Sequence, residues 1–437
     1  MNITLIQTGQ VHAVPTIAAP PSKSDAHRLL ILAALSEGND PITLACRDTN
    51  ADIDATVRCL QALGAQIHRD AAGFTVIPLS RTSPHDGEIY MDVGESGSTL
   101  RFLIPVIGAL GIPAVLRRGG RLPDRPLAPL DAVLTAHGMT LYDDSDDRTL
   151  LHLGGQLHAG SYEIDGGVSS QFISGLLFAL PLLDAPSTLT VTGTVSSAPY
   201  IALTCSALSR FGYPTEPDGS GYTYHLPPAR FAPSDGLTVE GDWSGAAFLL
   251  CAGAVGTGVA VTGLNPDSIQ GDRRITEVLA AAGCRIAWDR NTLTVSPPQD
   301  GVLRPFTLNA DDIPDLVPPI AVLACAAHGT SQITGCARLR IKESDRLKAT
   351  RETLLALGGS AETTDDTITV HGLGALAGGS CDGCGDHRMV MSAALAACIA
   401  ASPVTVSDSE AITKSYPGFF DDFCAFGIQE MSGGAQP

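Results

Sequence analysis

Four short stretches of this chain concentrate residue types that could hold an anion and move a proton beside it. In LRIKESDRL, from Leu339 to Leu347, the charged residues Arg340, Lys342, Glu343, Asp345 and Arg346 stand just before an amphipathic stretch, with Ser344 placed to cap a helix. A solvated helix start laced with ion pairs three residues apart accounts for that pattern. So does a Lys/Arg clamp on phosphate with a carboxylate held ready for proton transfer. Asp315, in DDIPDLVPPI, stands where an apolar helix begins, which suits either a carboxylate favoured by the helix dipole or a base. His387, in GDHRM, has Asp386 and Arg388 as neighbours and fits a place beside a ligand better than a packed core. GESGSTLR, from Gly94 to Arg101, sets small residues before an arginine and so opens the backbone to close approach by a ligand.

These strings belong to a pattern that returns at intervals of roughly seventy residues. A polar, Gly/Ser-rich loop runs into an apolar helix at PPSKSDAHRLLILAAL from Pro20, VGESGSTLRFLIPVIGAL from Val93 and DGGVSSQFISGLLFAL from Asp165. It does so again at EGDWSGAAFLLCAGAV from Glu240, ADDIPDLVPPIAVLACAA from Ala310 and DGCGDHRMVMSAALAACIA from Asp382. Amphipathic stretches ending at glycine alternate with these: DIDATVRCLQALG, PLAPLDAVLTAHG, YIALTCSALSRFG, RRITEVLAAAG and ESDRLKATRETLLALGG. Short β-rich runs such as TLTVTG, VAVTGL and TITVHG lie between them. The first helix series is apolar nearly all round and is expected inside; the second is apolar on one face and is expected outside. A TIM barrel puts strands inside, and its period of about thirty residues is too short for these units. Two groups of three units, divided near Glu240, predict two similar domains with a cleft between them.

A helix N-terminus presents unpaired N–H groups and the positive end of the dipole, so the six loops would make anion sites where they converge. Arg28, Arg101 and Arg388 fall in first turns, where side chains lean back toward the N-terminus. Taken singly, a Ser or Gly at such a place reads as an N-cap or a turn; their joint recurrence beside basic residues favours ligand binding.

At 437 residues, with 44% hydrophobic and 17% charged, the chain exceeds one ordinary core and falls outside the disordered class. A net charge of −19 argues against nucleic acid or an anionic bilayer as a bulk partner. MNITLIQTGQ lacks the features of a signal peptide, and with no apolar run of about 18 residues the expected location is the cytoplasm. The 11 cysteines are odd in number and scattered, and Cys381 and Cys384 lack the second pair that structural zinc needs, so neither a disulfide framework nor a metal is expected.

In this order and spacing, PPSKSDAHR, ESGSTLRF, DGGVSSQF, LRIKESDRL and GDHRMVM together closely resemble the 5-enolpyruvylshikimate-3-phosphate synthase family, the 3-phosphoshikimate 1-carboxyvinyltransferases. The match runs on to ITKSYPGFF near the C-terminus. The resemblance implies an α/β fold of two inside-out domains, each of three βαβαββ units, with the active site in the interdomain cleft. Residues 21–239 would form the N-terminal domain and 1–20 plus 240–437 the C-terminal one, with hinges near Pro20 and Thr238 to Gly241. The implied reaction moves the enolpyruvyl group of phosphoenolpyruvate onto the 5-hydroxyl of shikimate 3-phosphate and releases phosphate, on the route to chorismate. It requires an acid for the methylene carbon, a base for the hydroxyl and cations for two phosphates and two carboxylates. No metal or organic cofactor is implied, because the reactive phosphate is already on the substrate, and a monomer is expected.

By the same resemblance, Lys23, Asp315 and Glu343 are the catalytic residues, with Asp315 the base, Glu343 the acid and Lys23 assisting phosphate departure. Shikimate 3-phosphate would meet Lys23, Ser24, Arg28, Ser169, Ser170, Ser197, Tyr200, Asp315, Arg338 and Lys342. Phosphoenolpyruvate would meet Lys23, Gly97, Arg125, Gln171, Arg346, Arg388 and Lys414, with Arg101 and His387 elsewhere in the cleft. The Glu240 copy carries no basic residue and is assigned to the hinge. Two positions depart from the family pattern: Glu95 stands where many members have Asn, and Arg338 where some have Asn on the shikimate phosphate. The related UDP-N-acetylglucosamine enolpyruvyl transferases carry a Lys-Asn pair in the first loop and a reactive Cys on a mobile loop. Here the loop reads SKSDAHR, and Arg117 to Arg125 holds no Cys. A non-catalytic phosphate-binding protein of this fold is the other alternative, and Lys23, Asp315 and Glu343 argue against it.

Overall fold

A helix that is apolar on every side is stable only when other elements cover it completely, and six helices among the described residues are almost wholly buried. The computed structural model describes residues 1–9, 13–80, 87–219, 221–233 and 236–431. The chain divides into two compact units, one of Pro21–Val239 and one of Met1–Pro20 with Glu240–Pro437.

In the unit of Pro21–Val239 the helices are α1 (Lys23–Ala34), α2 (Ala51–Ala62), α3 (Gly97–Leu110), α4 (Leu130–Ala136), α5 (Ser170–Ala179) and α6 (Ala198–Arg210). The buried members, α1, α3 and α5, are those entered from the Gly/Ser-rich loops; α3 packs on both α1 and α5, and α6 packs on α1 and α5. The half-buried members sit outside them; α2 turns Ile53, Thr56, Cys59 and Leu60 inward, the spacing of one helical face.

The middle repeat shows the unit clearly. Ile89–Asp92 lies parallel to Ala114–Arg117, with Ile89 opposite Ala114 and α3 as the crossover. Leu150–Gly155 then pairs antiparallel with Ala114–Arg117, and Met139–Asp143 forms the far edge after α4. That succession is βαβαββ. The first repeat has no preceding strand of its own: Leu237–Thr238, at the end of the unit, supplies it by pairing parallel with Leu44 and Ala45. In the third repeat the sheet has three strands among the described residues, Ser161–Asp165, Ser187–Thr192 and Tyr222–Leu226.

The second unit repeats the plan with α7 (Trp243–Val255), α8 (Ile275–Ala281), α9 (Val317–Ala326), α10 (Arg346–Ala356), α11 (His387–Ala397) and α12 (Phe419–Phe423). Here α7, α9 and α11 pack on one another, and nearly every residue in them is buried. The N-terminal segment belongs to this unit twice over. Thr16–Ala18 is the parallel edge partner of Val259–Thr262, and Ile3–Gln7 inserts between Val404–Val406 and Ile428–Glu430, completing the last sheet. The short α12 is the sixth outer helix, which the pattern of glycine-ended helices did not reveal; Phe419 and Phe423 are its buried face, and Gly427 at φ 76° ends the turn that follows.

No helix among the described residues is long and apolar enough to cross a membrane.

Candidate active site

In the unit of Pro21–Val239, side chains from the first two turns of three buried helices are tied together. From α1, His27 Nδ1 lies 2.7 Å from Thr56 Oγ1, which lies 2.6 Å from Thr99 Oγ1 on α3. From α3 to α5, Arg101 Nη1 donates to Gln171 Oε1 at 2.9 Å, and Gln171 Nε2 donates to Ser98 Oγ at 3.0 Å. Arg28 closes the ring: Nε donates to Thr204 Oγ1 at 2.9 Å, and Thr204 Oγ1 is 2.7 Å from Ser174 Oγ on α5. The same guanidinium donates to the carbonyls of Ser24 at 2.6 Å and Tyr200 at 2.8 Å. These helices are capped by hydroxyls, Ser22, Ser96 and Ser169, so no cap carboxylate cancels the positive ends of their dipoles.

Cations converge on those ends. Lys23 Nζ is 2.8 Å from Asp52 Oδ2. Gly97, the first residue of α3, lies beneath two guanidiniums: a Cβ added there would stand 2.8 Å from Arg101 Nη1 and 3.0 Å from Arg125 Nη1. Only a residue without a side chain leaves Arg101 and Arg125 their present places. Ser169 and Ser170 open α5, and Ser197, at φ 57° and ψ 42°, opens α6.

The second unit is built with the opposite sign at its helix ends. Asp242 caps α7, accepting from the N–H groups of Ser244 and Gly245 at 2.8 and 2.9 Å, and Asp386 caps α11. Asp315 stands in the short turn before α9. Arg346, only 1% exposed at its side chain, is the hub: Nε donates to Asp386 Oδ2 at 2.7 Å, Nη1 to Asp315 Oδ1 at 2.8 Å, and Nη2 is 2.6 Å from Glu343 Oε2. Arg388 Nη2 donates to Asp315 Oδ2 at 2.8 Å and to Ser244 Oγ at 2.9 Å, joining α11, α9 and α7. Lys342 Nζ lies 3.9 Å from Asp315, and Lys414 Nζ donates to the carbonyl of Gly385 at 2.7 Å, beside the cap of α11.

Burial opposes the charge of Asp315, but Arg388, Lys342 and Arg346 outweigh it and hold the carboxyl well below the usual carboxylate range. Burial likewise pushes the Lys342 ammonium down, to about 8, with Arg338 and Arg346 adding to the effect and Asp315 opposing it. Arg338, Lys342, Arg346, Arg388 and Lys414 thus stand among Asp315, Glu343 and Asp386, and the charges of Asp242 and Asp272 also act on Arg388.

The expectation that all six loops offer backbone N–H groups to anions therefore needs correction. On α7 and α11 those groups already serve Asp242 and Asp386, and an anion must be met by arginine and lysine side chains instead. His387, expected beside a ligand, is 1% exposed, its Nδ1 3.6 Å from Asp386 Oδ1, and packs behind the cap. Arg28 is 2% exposed and ties helices together. The Glu95 side chain is exposed and leans against Gly119 and Gly120. The EGDWSG copy joins the cluster after all, through Ser244. Asp52, Ser98, Ser174, Thr204 and Ser244 escaped the sequence reading; Ser98 and Ser244 sit in the first turn of a buried helix, the position that drew attention to Arg28 and Arg101.

A family model described as EPSP synthase (3-phosphoshikimate 1-carboxyvinyltransferase) matches residues 8–423. The chain is 37% identical over 422 residues to the 3-phosphoshikimate 1-carboxyvinyltransferase of Clostridium kluyveri, covering 96% of each protein. It is 36% identical to that of Methanoculleus marisnigri, over 98% of this chain and 100% of the relative. Among solved structures, EPSP synthase from Acinetobacter baumannii superposes with a TM-score of 0.79 at 21% identity, over 99% of this chain and 100% of that one. The enolpyruvyl transferase NikO from Streptomyces tendae superposes with a TM-score of 0.73 at 18% identity, over 98% of each chain. At such identities these two likenesses speak for the fold.

Proposed function

The chain belongs to the EPSP synthase family of 3-phosphoshikimate 1-carboxyvinyltransferases, and on that footing we propose how its residues divide the transfer among themselves. The enzyme moves the enolpyruvyl group of phosphoenolpyruvate to the 5-hydroxyl of shikimate 3-phosphate, in the shikimate pathway. Adding the hydroxyl across the enol double bond takes one proton to the methylene carbon, which becomes a methyl group, and one from the hydroxyl; phosphate then leaves as that methyl gives up a proton, and the double bond is regenerated. A single acid and a single base near the same carbon serve both halves.

One observation carries the division of roles. Asp315 and Glu343 are tethered to different arms of one guanidinium, Nη1 and Nη2 of Arg346, at 2.8 and 2.6 Å. Asp315 is assigned the hydroxyl proton and Glu343 the proton for carbon, with Arg346 fixing their spacing. Arg346, Arg388 and Lys414, with Gly97, Arg125 and Gln171, take phosphoenolpyruvate. Ser24, Ser169, Ser170, Ser197, Tyr200, Arg338 and Lys342 take shikimate 3-phosphate, and Arg28 holds the carbonyls of Ser24 and Tyr200 in place for them. Lys23 is assigned to the departing phosphate; its present partner, Asp52, keeps the ammonium oriented. The net charge of −19 supports an enzyme without nucleic-acid or anionic-membrane partners, and the proposal extends to a cytoplasmic monomer.

The test is phosphate release from phosphoenolpyruvate with shikimate 3-phosphate as acceptor, run beside UDP-N-acetylglucosamine. Release with shikimate 3-phosphate alone is expected, and its loss in both Asp315→Asn and Glu343→Gln supports the roles. Release that persists in either variant removes that residue from proton transfer.

A further inference from the structure

We propose that His27, Thr56 and Thr99 form a one-way hydrogen-bond chain that ends on Ser96 and positions the N-terminus of α3 for phosphoenolpyruvate. The inference rests on the assignment of that N-terminus, Gly97 under Arg101 and Arg125, to this substrate. None of the four side chains is more than 1% exposed, so no solvent competes for their hydrogens. Thr99 Oγ1 donates to Ser96 Oγ at 2.7 Å, and Ser96 Oγ also accepts from the Thr99 N–H at 3.2 Å. A hydroxyl has one hydrogen to give. Since Thr99 gives its own to Ser96, the 2.6 Å contact of Thr56 with Thr99 requires Thr56 to donate. Thr56 has then nothing left for His27, and the 2.7 Å contact requires Nδ1 of His27 to carry the proton.

The other ring nitrogen agrees. His27 Nε2 is buried and has no hydrogen-bond partner among the described residues. A bare lone pair there is tolerated far better than an N–H left without an acceptor, which the reversed chain would demand. The chain therefore runs in one direction from α1 across α2 to the cap of α3. By fixing the Ser96 hydroxyl it fixes the first turn of α3, and with it the spacing of Gly97 from the two guanidiniums. These three are positioning residues, since they act on the substrate site through Ser96 and the first turn of α3.

Two measurements test this. Nitrogen-15 NMR of the histidine rings in the intact protein should show His27 as the Nδ1–H tautomer with a bare Nε2; an Nε2–H tautomer would overturn the chain, and this arm needs no variant. In steady-state kinetics, Thr56→Val and Thr99→Val should raise the KM for phosphoenolpyruvate about tenfold, with kcat and the KM for shikimate 3-phosphate within about twofold. Thr56→Ser, which restores the hydroxyl, should restore the KM. A purely structural role would move both KM values and kcat together, or neither, and would overturn the proposal. Arg125→Ala is the control: if it leaves the KM for phosphoenolpyruvate unchanged, the assignment of the α3 N-terminus falls and takes this inference with it. If it raises that KM while the valine variants do not, the chain alone is refuted.

Discussion

Arg388 grips Asp315 twice, donating to the carboxylate Oδ2 at 2.8 Å and to the backbone carbonyl of the same residue at 3.3 Å. With Arg346 on Oδ1, both carboxylate oxygens face guanidinium, and the group is held far below the range in which it would readily accept a proton. A base needs more basicity than that. On the proposed assignment of Asp315 as the base, the arginines would have to turn toward substrate anions for it to gain that basicity. Asp315→Asn should accordingly lower turnover by about 10²- to 10⁴-fold, the usual worth of general acid–base catalysis. Phosphoenolpyruvate binding, measured by calorimetry with the variant, should persist because Arg346 and Arg388 remain.

Glu343→Gln tests the other arm of Arg346. The amide keeps the shape and an oxygen for Nη2, now 2.6 Å from the carboxylate, but has no proton to deliver. Turnover should fall on the order of a hundredfold or more while both KM values stay near those of the parent. Turnover within a factor of about two would assign the acid elsewhere.

Lys342, pushed down to about 8 chiefly by burial, should leave a mark on the alkaline side of the pH profile. Its charged form is complete below that value and is lost as pH rises through it. If Lys342 holds the shikimate phosphate, the KM for shikimate 3-phosphate rises above about pH 8, while the KM for phosphoenolpyruvate is less affected. Lys342→Arg keeps its charge throughout and should flatten the alkaline limb. A limb that survives in the arginine variant belongs to another group.

Gly97→Ala asks how closely Arg101 and Arg125 must approach the start of α3. The new methyl would stand 2.8 Å from Arg101 Nη1 and 3.0 Å from Arg125 Nη1, closer than carbon tolerates, so the flexible guanidiniums must swing away. The helix itself has no reason to melt, because alanine is the better helix former. The KM for phosphoenolpyruvate should rise roughly tenfold, the cost of about one charge-assisted hydrogen bond, with the thermal midpoint little changed. An unaltered KM would mean that these guanidiniums do not serve the substrate.

What the sequence disclosed follows from which physical signals are local. The contrast between all-apolar and one-faced helices needs only the order of residues, and it located the polar loops before α1, α3, α5, α7, α9 and α11. Helix α12 escaped because five residues hold too little of a period to be told from a loop. Partners chosen by tertiary contact escaped for a different reason. Nothing near Asp315 announces that Arg346, 31 positions later, and Arg388, 73 positions later, would share its carboxylate. The sign of the helix caps was readable in principle, since Ser22, Ser96 and Ser169 recur in one half of the chain and Asp242 and Asp386 in the other. Its meaning depends on knowing which residue occupies the cap position, and helix boundaries are the least secure part of any such reading.

The buried histidine at the head of the α1–α3 chain gives a last prediction, for stability. Burial first, then the charges of Lys23 and Arg28, keep His27 neutral in the folded protein well below its ordinary pKa. In the unfolded chain the same ring takes up a proton below about pH 6.5. The unfolded state therefore binds more protons than the folded one as pH falls below that value, and folding stability declines there by up to about 1.4 kcal/mol per pH unit from this residue. Above about pH 6.5 both states are neutral at this ring and it contributes no slope. His27→Asn will lower stability at neutral pH, but the informative quantity is the slope: between about pH 6.5 and 5 its stability should fall less steeply than the parent's, by as much as one proton's worth. Urea unfolding of both proteins at several pH values measures this, and the other histidines cancel in the difference. Parallel slopes would mean that His27 takes up a proton inside the folded protein, which burial, the neighbouring Lys23 and Arg28 charges and the want of an acceptor beside Nε2 among the described residues oppose.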